Sequence, residues 1–409
     1  MPNSTRHPWF SLRRPVLSLI CLPVSSVFAQ DVVGEMPSLP SGFSDSEALL
    51  YAADSAKPGA LSFSLGLRAQ YDSNVNLGSG NGLEEVDSDL VITPSLGASY
   101  LLRNSRFQLG LNSNVSYKYY QNRDDYNAAN YSLGIFGGYR SKKLVASFTA
   151  GVSTGSGVNR LVGGFAEQLS LSSGLLASYR FSPKTSLVAS WNQSQTYSQS
   201  GGFGDTSSVN YGLSGLWQAT PLLSVGPGIR YAVRTAADDE ELTSIGPTLR
   251  LNYDLSTKVK LRSTVGYSRS DLPSAGSKSS SNWSVGLSYN ASALWGLDFT
   301  MVKDTQAALS AGSGFDESTS YRINYRRKIR RAQLSLGMSY NDRSPFDDFS
   351  DFGVARDSEY LSVTAGLSMP VFKNQAALSL DFSISDQSNS TSDSSWDSWQ
   401  AGVGLTWQF

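Results

Sequence analysis

The chain has 409 residues, of which 40% are hydrophobic, with 37 glycines and a formal charge of −1 at pH 7. Length alone would allow about two or three domains, but one large barrel escapes that rule, because its apolar surface faces outward and its interior can stay wet. The near-neutral balance gives no reason to expect nucleic acid as a partner, and after the N-terminus no run of 18 apolar residues could form a transmembrane helix.

Residues 1–29 read as a secretory signal peptide. Arg6, Arg13 and Arg14 form a basic start, residues 16–24 a short apolar stretch, and Val27-Phe28-Ala29 a small-residue exit. Ile20 before Cys21 is too bulky for lipoprotein cleavage. Removal of this segment takes away the one cysteine, the one histidine (His7) and three arginines, moving the formal charge from −1 to −4. A chain without cysteine needs no disulfide in an oxidising compartment. Residues 30–59 read as a short periplasmic N-terminal extension.

From residue 60 to 409 one amphipathic unit recurs about every 20 residues, with side chains alternating between two faces as in a strand. The first nine segments are 60–75, 89–101, 106–120, 128–140, 143–155, 167–181, 185–199, 207–219 and 222–234. The next nine are 242–255, 258–270, 281–291, 296–307, 318–329, 332–342, 358–370, 375–386 and 397–409. In the first, Leu61, Phe63, Leu65, Leu67, Ala69 and Tyr71 alternate with Ser62, Ser64, Gly66, Arg68, Gln70 and Asp72. In the last, Trp399, Ala401, Val403, Leu405, Trp407 and Phe409 alternate with Gln400, Gly402, Gly404, Thr406 and Gln408.

Connections alternate as well. Short turns such as 141–142, 182–184 and 330–331 interleave with longer polar joints such as 76–88, 271–280 and 343–357. Short turns on one side and longer loops on the other describe an all-β chain folded as a single transmembrane antiparallel up-and-down β-barrel of about 18 strands, turns in the periplasm. Only a closed barrel leaves no strand edge unpaired in hydrocarbon. Tyr71, Tyr100, Tyr139, Tyr179, Tyr253 and Trp407 sit near segment ends, where interfacial aromatic girdles belong. Pro94, Pro227 and Pro247 fall inside segments, which predicts bulges or strand ends there.

The last segment, ending Leu405-Thr406-Trp407-Gln408-Phe409, resembles the terminal strand of bacterial outer-membrane barrels, which implies that Trp407 and Phe409 form the signal read by the barrel assembly machinery. The first hairpin reads Tyr71-Asp72-Ser73-Asn74-Val75, then a loop, then Thr93-Pro94-Ser95-Leu96. It resembles the opening of the β-barrel porin 2 family, and the hairpins that follow are similar in style over 60–409. The resemblance implies a Gram-negative outer-membrane barrel, often the outer-membrane partner of exopolysaccharide or capsule export systems.

An enzyme is hard to build here. Without histidine or cysteine there is no Ser-His-Asp triad, no Cys-His dyad and no His-ligated zinc, so no catalytic residue, metal or cofactor is expected. The acidic clusters Asp124-Asp125, Asp238-Asp239-Glu240-Glu241 and Asp347-Asp348 read as solvated loop tips, the sharper alternative being divalent cations bridging them to lipopolysaccharide. With the apolar set outward, the candidate pore lining is Arg68, Lys118, Arg230, Arg250, Lys260, Arg262, Arg322 and Arg326, against the fewer inward acids Asp72, Asp254, Asp298, Asp304 and Asp381. Rings of Arg or Lys in a pore favour anions. Tyr120, Phe136 and Trp396 add candidate surface for stacking sugar rings.

No loop is long enough for an obvious plug, so a wide passage gated by a partner is expected. The leading expectation is a conduit for export of an anionic exopolysaccharide, working with periplasmic polysaccharide-export proteins. The alternatives are a diffusion porin for small anionic or sugar solutes and a structural anchor in the outer membrane.

Overall fold

In a computed structural model the chain forms eighteen strands: β1 Leu61–Asp72, β2 Asp89–Arg103, β3 Phe107–Tyr120, β4 Ala128–Arg140, β5 Leu144–Asn159, β6 Gly164–Arg180, β7 Thr185–Ser198, β8 Thr206–Gln218, β9 Leu223–Thr235, β10 Glu241–Asp254, β11 Val259–Leu272, β12 Gly276–Ser292, β13 Trp295–Ala307, β14 Phe315–Ile329, β15 Ala332–Pro345, β16 Ser358–Val371, β17 Ala376–Asn389 and β18 Trp396–Gln408. The structure describes residues 59, 61–77, 86–159, 164–199, 204–236, 240–273, 276–307, 314–346, 357–372, 375–389 and 395–409. The expected signal peptide, Asp238-Asp239, Asp347-Asp348 and all of the N-terminal extension but Gly59 lie outside them.

Each strand pairs antiparallel with its neighbours in sequence, and β1 pairs with β18, so the sheet closes on itself. The seam sets Leu65 opposite Trp407, Leu67 opposite Leu405 and Ala69 opposite Val403. The backbone of Phe63 exchanges two hydrogen bonds with Phe409 beyond the ladder's end.

The predicted alternation sets which face points where. Leu65, Leu67, Leu249, Val265 and Leu380 lie on the outer surface, with Leu65 54% exposed to the surroundings. Large aliphatic side chains stay exposed on a folded protein in such numbers only where the solvent is itself apolar. Tyr71, Tyr100, Tyr119, Tyr139, Tyr179 and Tyr253 share that outer surface towards the strand ends.

The prolines depart from expectation. Pro94, Pro227 and Pro247 sit in mid-strand, and none shifts the register. Each ladder stays continuous on one side, with Leu67 opposite Pro94, Leu249 opposite Pro227 and Ile229 opposite Pro247. On the other side the ladder opens briefly and resumes in the same register, as between Ile245–Arg269 and Thr248–Gly266. Proline lacks one donor, so only one neighbour loses a bond. Glycine precedes two of these prolines, and a Cβ on Gly246 would come within 2.0 Å of the Tyr267 carbonyl oxygen, so the neighbouring backbone closes over a position only glycine can fill. The register shift in the structure lies instead in the β12–β13 ladder, between Tyr289 and Ser292.

One sector is more than a single wall. The β12–β13 ladder ends at Trp283–Lys303, although β11–β12 continues to Leu272–Gly276 and β13–β14 to Ala307–Phe315. Beyond Lys303 the ends of β13 and β14 therefore leave β12. They lie inside the barrel, where Phe315 and Phe346 pack on Ala236, Leu242 and Leu272 of the inner wall. By alternation, Thr305 and Phe315 belong to the outer face of their strands, yet they are buried against the inner face of β9–β12. The wall overlaps itself there like a rolled sheet.

Candidate functional site: the lumen and its constriction

Every predicted lining residue shares the inward-facing register of the glycines and serines around it, but they do not form one ring. Lys118 is two residues from the long-loop end of β3, and Arg326 three residues from the short-turn end of β14. Arg322 faces the lumen opposite Thr300. Several are engaged. Arg68 Nη2 donates to Asp381 at 2.5 Å, Arg262 Nη2 to Asp254 at 2.7 Å and Arg326 Nη2 to Asp298 at 2.7 Å. Asp72 accepts instead from Ser398 and Gln400 across the seam. Among the described residues Lys118, Arg250 and Lys260 make no ion pair.

The densest group is built by the overlap. Arg230 of β9 grips Asp304 of β13 with two donors, Nη1 to Oδ1 at 3.1 Å and Nη2 to Oδ2 at 2.6 Å, and Nη2 also reaches Asn210 Oδ1 at 2.9 Å. Arg234 adds Nη2 contacts to both Asp304 oxygens at 3.2 and 3.1 Å. A forked guanidinium–carboxylate pair is the geometry in which such bonds are strongest. Two guanidinium groups share one carboxylate, so the group keeps a net positive charge. Behind it is a polar cavity of about 10 Å³, lined by Ala232, Ser244, Ser268, Asn282 and Thr305 as well as the three charged residues, which is room for about one water. Lys278 fixes the ribbon from the wall side, donating to the Phe346 carbonyl with its Nζ 4.7 Å from that ring's centre.

Arg234 was not among the predicted lining residues. The available signal was its position: it stands two inward steps beyond Arg230 on the same face, at the strand's end, where a pattern read residue by residue stops. No pattern in the sequence pointed to Asp304 meeting β9, because the two strands are not ladder neighbours.

Two expectations need correction. The interior is not clear of chain: the ends of β13 and β14, and not a long loop, fold into it. Nor do Tyr120 and Trp396 offer faces for sugar stacking. At 5% and 3% exposure, Tyr120 is packed with Val75, Val91 and Tyr126, and Trp396 with Leu77 and Tyr360. Phe136 does face the lumen, lying over Gly110, where a Cβ would collide with its ring.

At the long-loop end Asp124-Asp125 flanks Arg123, which pairs with Asp87 at 3.0 Å and Asp125 at 3.1 Å and lies over the Tyr126 ring. The Arg123 guanidinium beside it holds the Asp125 carboxyl below the usual carboxylate range. That pairing engages Asp125 with an arginine, and among the described residues no cluster of three or more metal-ligating side chains occurs.

An apolar belt around a ring without a free edge, with both described ends of the barrel on the side of the short turns, has one physical setting. The protein is a multi-pass β-barrel of a bacterial outer membrane. Trp407 and Phe409 close its seam at the periplasmic end, where Trp407 lies 5.3 Å from the Phe372 ring.

No protein-family model and no curated protein matches this chain. Among solved structures it is similar to the outer membrane protein OpdK of Pseudomonas aeruginosa (12% identity, 86% of this chain and 99% of that one, TM-score 0.46). It is also similar to OccAB3 of Acinetobacter baumannii (13%, 85% and 99%, TM-score 0.44) and to the siderophore receptor PirA of P. aeruginosa (11%, 87% and 81%, TM-score 0.38). Likeness at this level carries neither a substrate nor a residue role across to this barrel.

Proposed function

We propose that the barrel is a passive diffusion channel for small anionic or sugar solutes. The supporting observation is the Arg230–Asp304–Arg234 group, which ties an inward-folded ribbon to the inner face of β9. It narrows the passage and leaves excess positive charge at the narrowing. A narrow lumen with fixed cations selects by size and sign, whereas a polymer conduit needs width. The second reading, a conduit for an anionic exopolysaccharide, has a basic periplasmic mouth in its favour and the constriction against it.

Purified barrel in a planar bilayer tests this. The expected result is a small, stable, anion-preferring conductance without any partner protein, which increases in Asp304→Ala as the ribbon is released. A barrel silent alone that conducts only with periplasmic export proteins would overturn it in favour of the second reading. Loss of surface polysaccharide on gene deletion would point the same way.

A further inference from the structure

The charges of the two mouths are segregated. We infer that the channel rectifies, carrying small inorganic and carboxylate anions more readily from its periplasmic mouth outward than in the reverse direction. This rests on the barrel being an open channel and adds the residues that set its polarity.

The short turns carry Arg106 between β2 and β3, Lys142 and Lys143 between β4 and β5, Lys184 between β6 and β7, Lys258 between β10 and β11, and Arg330-Arg331 between β14 and β15. All are exposed, and no described turn residue is acidic. Arg140, Arg180 and Lys328 stand just inside the same rim on the inward-facing register and are exposed too. The described outer connections are the reverse. They hold Asp87, Asp124, Asp125, Asp205, Glu240 and Asp357, against Arg123 alone, and that arginine is already paired with Asp87 and Asp125. Just inside that rim the charges on the inward-facing register balance, Lys118, Arg234, Lys278 and Arg343 against Asp72, Asp89, Asp304 and Asp316, so the connections leave the outer mouth acidic.

Fixed charge at a pore mouth concentrates ions of the opposite sign. With a basic inner mouth and an acidic outer mouth, one voltage polarity draws anions in through the first and cations through the second. Both kinds of carrier then accumulate in the lumen and the current is high. The opposite polarity drives each ion at the mouth that repels it, and the lumen is depleted. Screening limits the effect, since the Debye length falls from about 10 Å at 0.1 M salt to about 3 Å at 1 M.

The test is the current–voltage curve of single channels in symmetrical KCl. Orientation is assigned in the same bilayer with a Thr257→Cys variant and an impermeant charged thiol reagent, which alters the current from the periplasmic compartment only. At 0.1 M the expected current is about twofold or more larger when the outer compartment is positive, and the curve becomes linear near 1 M. The quadruple variant Lys142→Glu, Lys143→Glu, Arg330→Glu, Arg331→Glu abolishes or inverts the asymmetry at 0.1 M. Salt dependence of the unmodified rim supplies the same answer if that variant fails to assemble. Equal currents at both polarities at 0.1 M, or asymmetry of the opposite sign, overturn the inference while leaving the channel intact. Absence of current at every voltage removes the channel itself, and the inference with it.

Discussion

The walls formed by β4–β7 and by β10–β12 are written in the same residues and end in different environments. Both turn serine, glycine and asparagine inward. On β4 and β6, Ser132 and Ser172 are exposed to the lumen. On β10–β12, Ser244, Ser268, Ser270, Ser280 and Asn282 are buried under the β13–β14 ribbon, with Ser270 only 1% exposed. Ser244 and Ser270 hydrogen-bond each other at 2.7 Å, and Asn282 donates to Ser268 at 3.0 Å. Small polar side chains serve an open wall by being wettable and a covered wall by being thin and self-satisfying. Alternation fixes the face a residue occupies; it does not fix what lies against that face.

The largest effect that separates the two walls is expected at the clamp. Asp304→Ala leaves Arg230 and Arg234 without their carboxylate; breaking a buried pair costs on the order of 3–5 kcal/mol, and with Arg230 and Asp304 partly exposed the loss lies at the lower end of that range. Because the ribbon can swing away and rehydrate, the change should register chiefly as increased conductance and as faster amide exchange confined to the upper ends of β13 and β14. Next come substitutions on the lipid face, where the two walls should behave alike. Val265→Arg and Ile135→Arg should each cost roughly 2–4 kcal/mol near mid-membrane, measured by urea unfolding in lipid vesicles; a marked difference would mean that the ribbon also affects the outer surface. A sharper contrast is Ser268→Leu against Ser172→Leu. The first overpacks a covered site at about 1–3 kcal/mol, and the second projects into open lumen with little loss of stability. Equal costs would mean that β10–β12 is not covered. The smallest effect is Asp381→Asn, which weakens the half-exposed bond to Arg68 by about 0–1 kcal/mol, resolvable only as a coupling energy in a double-mutant cycle with Arg68→Gln.

Much of the architecture was legible. Strand bounds read from alternation agree with the structure within a few residues at nearly every end. β5 overruns its expected end by four residues, to Asn159. The largest departure, five residues at β12, comes where strands extend towards the overlap: β12 begins at Gly276 and β15 runs to Pro345. There polar and charged residues such as Ser277, Lys278, Asp342 and Arg343 break the alternation, since no lipid sets one side. The prolines were misread for a related reason. A closed barrel gives each strand two ladders, so losing a donor on one side leaves the other to hold the register.

Of the site, the inward face was legible and its grouping was not. Arg68, Arg230, Arg262 and Arg326 face inward as their register requires, but the carboxylate that meets each was set by strand order, tilt and closure. Lipid on one side and water on the other leave a strand one workable pattern, so the sequence by itself determined the eighteen strands, their inward and outward faces and the basic rim of turns. Only the tertiary structure decided that β13 leaves β12 at Lys303 and brings Asp304 to Arg230 and Arg234. A contact between strands that share no ladder depends on how the ring closes, and the period of two along one strand carries no record of that.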